Sequence, residues 1–184
     1  MGKKKTAATP AMTVLARAGV HFITREYGHD KAAAERAGGF GQEAVLALGV
    51  AAQRVFKTLV VELSGGSAAP GQLAVAVLPV PDRLDLKAVA TALGAKRAAM
   101  ADVAKAQRTT GYVAGGISPL GQRTRLPTVI DECAFGHETV LVSGGRRGLD
   151  IELDPEDLAR LTGGVRARVA EHTGDDGDHV RSRR

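Results

Sequence analysis

Three stretches of the chain hold the residues whose types and spacing could do chemistry. The first is Arg54-Val-Phe-Lys-Thr-Leu-Val-Val-Glu-Leu63, a largely apolar, β-branched run with Lys57 inside it. Strand alternation sets Lys57 on the face of Val55, Leu59, Val61 and Leu63. A lysine in that company either runs its stem over apolar surface to reach water at a sheet edge, or stands at the mouth of a pocket. There it would hold a phosphate or carboxylate, or act as a base with a lowered pKa. The second stretch, Gly111 to Pro127, carries four glycines and two prolines between segments of regular pattern. Gly115-Gly116 can take positive φ and present N–H groups to a ligand with no Cβ in the way, while Pro119 and Pro127 fix the chain around them. Such a loop suits an oxyanion or a carbonyl. The third, Ser143-Gly-Gly-Arg-Arg-Gly-Leu-Asp150, joins two strand-like segments. Its arginines could meet phosphates or stand as solvated turn residues. Asp150, between Leu149 and Ile151, either needs a partner or anchors a turn through N–H groups.

Several familiar chemistries are absent. Neither glycine-rich stretch continues into the Gly-Lys-Ser/Thr of a phosphate-binding loop. Ser118 and Ser143 lack the context of a nucleophile elbow. His21, His29, His137, His172 and His179 show no ligand spacing and read as ordinary surface residues. Cys133 is the lone cysteine, which removes disulfides and multi-cysteine metal sites and reads as a small buried hydrophobe. No cofactor or metal is expected.

Regular elements must position these groups. Thr9-Pro10 starts a short helix with Met12, Leu15 and Ala16 on one face, ending at Gly19. His21 to Tyr27 alternates as a strand, and a polar connection is expected from His29-Asp30 through Gly38-Gly39. Glu43 to Leu48 is a second helix closed by Gly49. The Lys57 strand turns through Ser64 to Gln72 and returns as Leu73 to Pro79, an antiparallel hairpin through the core. Asp85 and Asp102 cap two further helices. Thr128–Asp131, Thr139–Ser143 and Ile151–Leu153 are strands, and Asp154-Pro155 begins the last helix. Several connections are too short for crossover helices. The expected fold is therefore α/β with a mixed, largely antiparallel, barrel-like sheet and helices packed outside, not a doubly wound parallel sheet.

At 184 residues, with 44% hydrophobic content, residues 9–172 suffice for one domain. Aromatics are 3% of the chain and tryptophan is absent, which argues against base-stacking platforms. The net charge of +5 is concentrated at the ends, with Lys3, Lys4, Lys5, Arg181, Arg183 and Arg184 supplying six of 25 cations. Residues 1–8 read as a disordered basic arm and 173–184 as a disordered polar tail. Within the body, Lys96, Lys105, Arg108, Arg123, Arg125, Arg146 and Arg147 could form a patch for an RNA backbone. No apolar run approaches a membrane span, so the expected location is cytoplasmic.

Taken in order, Thr9-Pro10-Ala11, Tyr27-x-His29-Asp30, Val55-Phe-Lys57-Thr58-Leu59, Leu84-Asp85-Leu-Lys87, Gln107-Arg-Thr-Thr-Gly-Tyr112, Gly115-Gly-Ile-Ser-Pro-Leu-Gly121, Leu126-Pro-Thr128 and Ser143-Gly-Gly145 with Arg147-Gly-Leu-Asp150 resemble the YbaK/EbsC-type Cys-tRNA(Pro) deacylases. The match spans about residues 9–170, and it is order and spacing, not any one fragment, that carries it. The resemblance implies a trans-acting editing enzyme that removes cysteine from misacylated tRNA(Pro), in contact with that tRNA and with prolyl-tRNA synthetase. Cysteine and proline are too alike in volume for one pocket to separate. It further implies Lys57, Gly115 and Asp150 as catalytic residues, with Tyr27, Thr58, Gly116, Ser118, Ser143 and Arg147 binding substrate. Lys57 would hold the terminal adenosine phosphate or ribose, Gly115 the aminoacyl carbonyl, Ser143 and Asp150 the cysteinyl moiety and its ammonium. The substrate's own thiol would attack the ester and leave as a thiolactone. Two alternatives stand beside this: an editing deacylase for another species such as Ala-tRNA(Pro), and a non-catalytic tRNA- or nucleotide-binding module of the same fold.

Overall fold

The computed structural model describes residues 7–172, so the arm over residues 1–6 and the tail from 173 lie outside it. Five strands form the larger sheet: β2 (Phe56–Ser64), β3 (Gln72–Pro79), β5 (Arg97–Met100), β6 (Thr128–Asp131) and β9 (Val165–Ala167), in the order β5-β2-β3-β6-β9. β2 and β3 form the expected antiparallel hairpin, with Lys57 opposite Leu78. β6 joins β3 in parallel, and β9 joins β6 in parallel. A three-stranded antiparallel sheet is built from β1 (Phe22–Glu26), β7 (Val140–Arg146) and β8 (Leu149–Leu153), with β8 in the middle. β4 (Arg83–Leu84) pairs with β10 (Ala170–Glu171). The fold is mixed α/β as expected, but the described strands do not close a barrel: a parallel bridge, Val55 to Leu141, links the two larger sheets where a barrel would need a continuous ladder.

The sequence of β3, Leu73-Ala-Val-Ala-Val-Leu, is apolar at every position because both its faces are covered. Leu73, Val75 and Val77 meet Val140, Val142, Ile151 and Leu153 of the smaller sheet, with Leu15 of α1 (Pro10–Arg17) and Leu158 of α6 (Pro155–Thr162) in the same cluster. Ala74 and Ala76, with Val61 and Leu63, face Val89 of α4 (Leu86–Ala92). The small alanines let the helix approach. Thr9 caps α1 by accepting from Met12 N at 3.3 Å and also donates to Gly144 O at 2.5 Å, tying the first helix to β7. Asp85, Asp102 and Asp154 cap α4, α5 (Val103–Thr110) and α6 through their carboxylates, as their positions predict.

A second expectation is corrected. The stretch after His29-Asp30 is not a polar connection but a helix, α2 (Lys31–Ala37), capped by Asp30 and closed by Gly38 at φ +93°. Its Lys-Ala-Ala-Ala-Glu-Arg-Ala sequence favours helix at every position but carries little apolar stripe, so periodicity passes over it. α3 (Phe40–Leu48) follows after Gly39, beginning three residues ahead of the expected Glu43.

Candidate active site

Tyr27, Lys57, Thr58, Gly115, Ser143 and Asp150 line one cavity of about 550 Å³. The side from α3 carries Phe40 and Gln42, the turn after β3 supplies Val80, Pro81 and Asp82, and Met100 and Val103 come from β5 and the start of α5. No histidine or cysteine is among the lining residues.

Lys57 lines the cavity, as the pocket reading expected, but its ammonium is held by the protein. Its ammonium donates to two main-chain carbonyls, Val80 O at 3.0 Å and Asp82 O at 2.5 Å. Two of three N–H groups are thus fixed by the turn, and the charge meets no carboxylate oxygen among its bonded partners. Burial lowers its pKa, and the negative charge of Asp82 works against that fall.

Asp150 sits on β8, in register with Ser143 on β7 and Arg25 on β1. Arg25, its register partner, is paired with Glu152 at 2.6 Å. Glu152 also accepts from Thr139 at 2.7 Å and Arg54 at 2.8 Å, and Thr139, ahead of the two arginines, holds its carboxyl down at about 2. Asp150 is left 5% exposed, and burial pushes its carboxyl up to about 7. Tyr27, whose hydroxyl is raised by burial and by the charge of Asp150, stands beside it.

The loop from Gly111 to Pro127 is braced within itself and against α5. Tyr112 donates its hydroxyl to Leu120 O at 2.7 Å, Ala114 N reaches Gln107 Oε1 at 2.8 Å, and Arg123 N reaches Thr110 O at 2.8 Å. Gly115 takes φ +83°, and a Cβ there would lie 2.7 Å from the Phe40 ring. Gly116 has no positive φ. Its need is for space, since a Cβ would meet the Arg146 main chain at 2.9 Å.

Three of the expected binding residues stand behind the cavity wall. Ser118 is fully buried, its Oγ accepting from Leu120 N at 3.3 Å, which makes it a loop-shaping residue. Gly116 is packed on the β7–β8 turn, and Arg147 donates to Ala114 O at 2.9 Å with its guanidinium 5.0 Å from the centre of the Phe40 ring. These groups hold the Gly115 loop and Phe40 together. Of the suggested RNA patch, Lys105 is paired with Glu62 at 2.7 Å and Arg146 with Glu26 at 3.4 Å. His29, partly buried and bonded to buried Glu43 at 2.9 Å, departs from the ordinary-surface reading, whereas His172 is half-exposed as expected and bonds to buried Asp82 at 2.9 Å. His179 lies outside the described residues. Cys133, expected as a small buried hydrophobe, is partly buried and packs against the main core, and burial and Asp131 push its thiol well above the usual range. Among the described residues no group of three or more His, Cys, Asp or Glu side chains could hold a metal ion, and no helix is long and apolar enough to cross a membrane.

A family model described as an aminoacyl-tRNA editing domain matches residues 40–161. A candidate Cys-tRNA(Pro)/Cys-tRNA(Cys) deacylase, EbsC, from Enterococcus faecalis is 37% identical over 172 residues, covering 92% of this chain and 98% of its own length. The chain belongs to the aminoacyl-tRNA editing domain family. Among solved structures, a candidate trans-editing enzyme for prolyl-tRNA synthetase is similar at 25% identity and TM-score 0.72, over 90% of this chain and 99% of its own. A hypothetical protein at 24% identity and TM-score 0.75, over 89% and 100%, shares the fold. In this editing domain the residues that sequence reasoning missed are Phe40 and the Val80–Asp82 turn. Phe40 gave no clear signal in its own stretch, since the glycine that lets its ring approach is Gly115, far along the chain. The turn gave none, because its contribution is main-chain carbonyls.

Proposed function

We propose that the chain discharges cysteine from misacylated tRNA(Pro), with the substrate's own thiol as nucleophile. The observation that carries this is the convergence of Lys57, Gly115, Ser143, Tyr27 and Asp150 on one cavity that offers no histidine or cysteine of its own. The name of the EbsC relative supports the choice of amino acid and tRNA. Asp150, largely ionised above about pH 7, receives the α-ammonium beside Ser143. The Gly115 N–H receives the ester carbonyl oxygen. The remaining N–H of Lys57 meets the ribose or phosphate of the terminal adenosine. The thiol sulfur then bonds to the carbonyl carbon and the ester C–O bond breaks. The ribose oxygen leaves with the proton given up by the thiol, and the products are a four-membered thiolactone and free tRNA. Orientation and charge complementarity are what the protein supplies, and for an intramolecular step these reach most of the barrier reduction.

The test is a panel of charged tRNAs with purified protein. Cys-tRNA(Pro) should be discharged while Pro-tRNA(Pro) persists, and an S-methylated cysteinyl ester should survive. Preferential loss of Ala-tRNA(Pro) would reassign the substrate, equal loss of the seryl and S-methyl esters would replace thiol attack by water, and binding without turnover would leave a tRNA-recognition module.

A further inference from the structure

Lys57 is held by two carbonyls of one turn, so whatever fixes that turn fixes the ammonium. Val80 N bonds to Val55 O at 2.8 Å and Asp82 N to Pro79 O at 3.1 Å, which closes the turn but leaves its far side to other partners. Those partners come from the last described residues. β10 pairs with β4, immediately after Asp82, and Asp85 N bonds to Val169 O at 2.8 Å. His172 Nδ1 meets Asp82 Oδ2 at 2.9 Å, on a carboxylate whose side chain is 6% exposed. This final strand is itself fastened inward. The buried carboxylate of Asp131 accepts from Val169 N and Ala170 N, both at 2.8 Å, and from Cys133 N at 3.0 Å. Burial alone would raise the Asp131 carboxyl, but these hydrogen bonds outweigh it and hold the group below its usual range.

The segment lies beyond residues 40–161, the span matched by the family model. We propose that His172 is a positioning residue for Lys57: by holding the Asp82 side chain it sets the turn whose Val80 and Asp82 carbonyls aim the ammonium into the cavity. His172 does not itself line the cavity. Its hydrogen bond acts on the residue whose carbonyl makes the shorter of the two bonds to Lys57. Asp82 also reaches Lys57 through space, since its charge opposes the fall in the lysine pKa, and it reaches Cys133 in the same way. A loosened Asp82 therefore misplaces both the carbonyl that points Lys57 and the charge that opposes the fall in its pKa.

The kinetic part of the test rests on the deacylase reading, and the spectroscopic part does not. His172→Ala and His172→Asn are made in the full chain; the asparagine amide can occupy the place of Nδ1 and keep a donor to Asp82. With Cys-tRNA(Pro), His172→Ala should lower kcat about tenfold, the scale expected for misplacing a group without removing it, with KM within twofold and the melting temperature nearly unchanged. His172→Asn should return kcat to within about twofold of the parent. In parallel, the Lys57 side-chain NMR signals, assigned through Lys57→Arg, should shift in His172→Ala and return in His172→Asn. A parent kcat in His172→Ala, an asparagine variant as slow as the alanine one, or Lys57 signals indifferent to both would each overturn the proposal. Should the parent protein discharge no tRNA at all, the functional reading fails while the Lys57 signals still decide this one.

Discussion

Replacing Asp150 by Asn should stabilise the fold at neutral pH while damaging activity, and the size of the gain follows from how the carboxyl is left. A carboxyl titrates near 3.9 in an unfolded chain, whereas burial carries Asp150 to about 7 in the folded one. The folded state therefore holds its proton more tightly. Whatever stability that proton lends is fully present below about pH 4, falls as pH rises, and is gone once pH passes about 7. Three pH units at 1.36 kcal/mol each set a ceiling of about 4 kcal/mol. Asparagine has nearly the same shape and no charge to bury, so it escapes this loss. Urea unfolding of parent and Asp150→Asn should give similar stabilities near pH 4 and a difference that widens in favour of the variant to roughly 2–4 kcal/mol at pH 8. Taking the difference between the two proteins cancels the titration of every other group, including Glu152. Turnover of the aminoacyl ester should fall at least about a hundredfold in the same variant, because a neutral amide cannot pair with the α-ammonium. A stability difference that stays constant from pH 4 to 8, or a variant less stable than the parent at pH 8, would refute the assignment of Asp150 as an unneutralised buried carboxyl.

Gly115→Ala combines a left-handed backbone with a methyl group 2.7 Å from the Phe40 ring. It should cost about 1–3 kcal/mol in unfolding free energy, and it should lower deacylation more than the melting temperature alone would suggest, since Phe40 and the Gly115 N–H move together. Parent-like turnover would remove Gly115 from the carbonyl-binding role. The raised Cys133 thiol should be alkylated by iodoacetamide at pH 8 at least about tenfold more slowly than free cysteine, and Cys133→Ala should retain turnover within twofold. Rapid alkylation accompanied by loss of activity would mean that the protein supplies its own sulfur.

What could be read from the sequence divides by how far away the deciding partner lies. Thr9, Asp85, Asp102 and Asp154 act on N–H groups two or three residues on, and all four caps were legible. β2 and β3 carry enough apolar residues to declare themselves. β4, β5, β9 and β10 run two to four residues each, and no pattern of that length can outvote the pairing that a distant strand imposes. The site follows the same division. Lys57, Gly115, Ser143, Tyr27 and Asp150 were marked by their kind and by the family resemblance, yet the sequence could not say which carboxylates would be neutralised. Arg25 stands opposite Asp150 in register and still spends its charge on Glu152. Asp82 takes His172, from 90 positions away, and so leaves Lys57 to carbonyls. The outcome is a cavity lined by a cation bonded to carbonyls and by an anion bonded to no cation, while Arg25 and Asp82 pair elsewhere. An aminoacyl ester on a terminal adenosine has the complementary order, an ammonium at one end and a phosphate at the other. On the proposed reading, two opposite charges lining one partly buried cavity would orient such a substrate before any bond is made, which is the work an intramolecular attack requires.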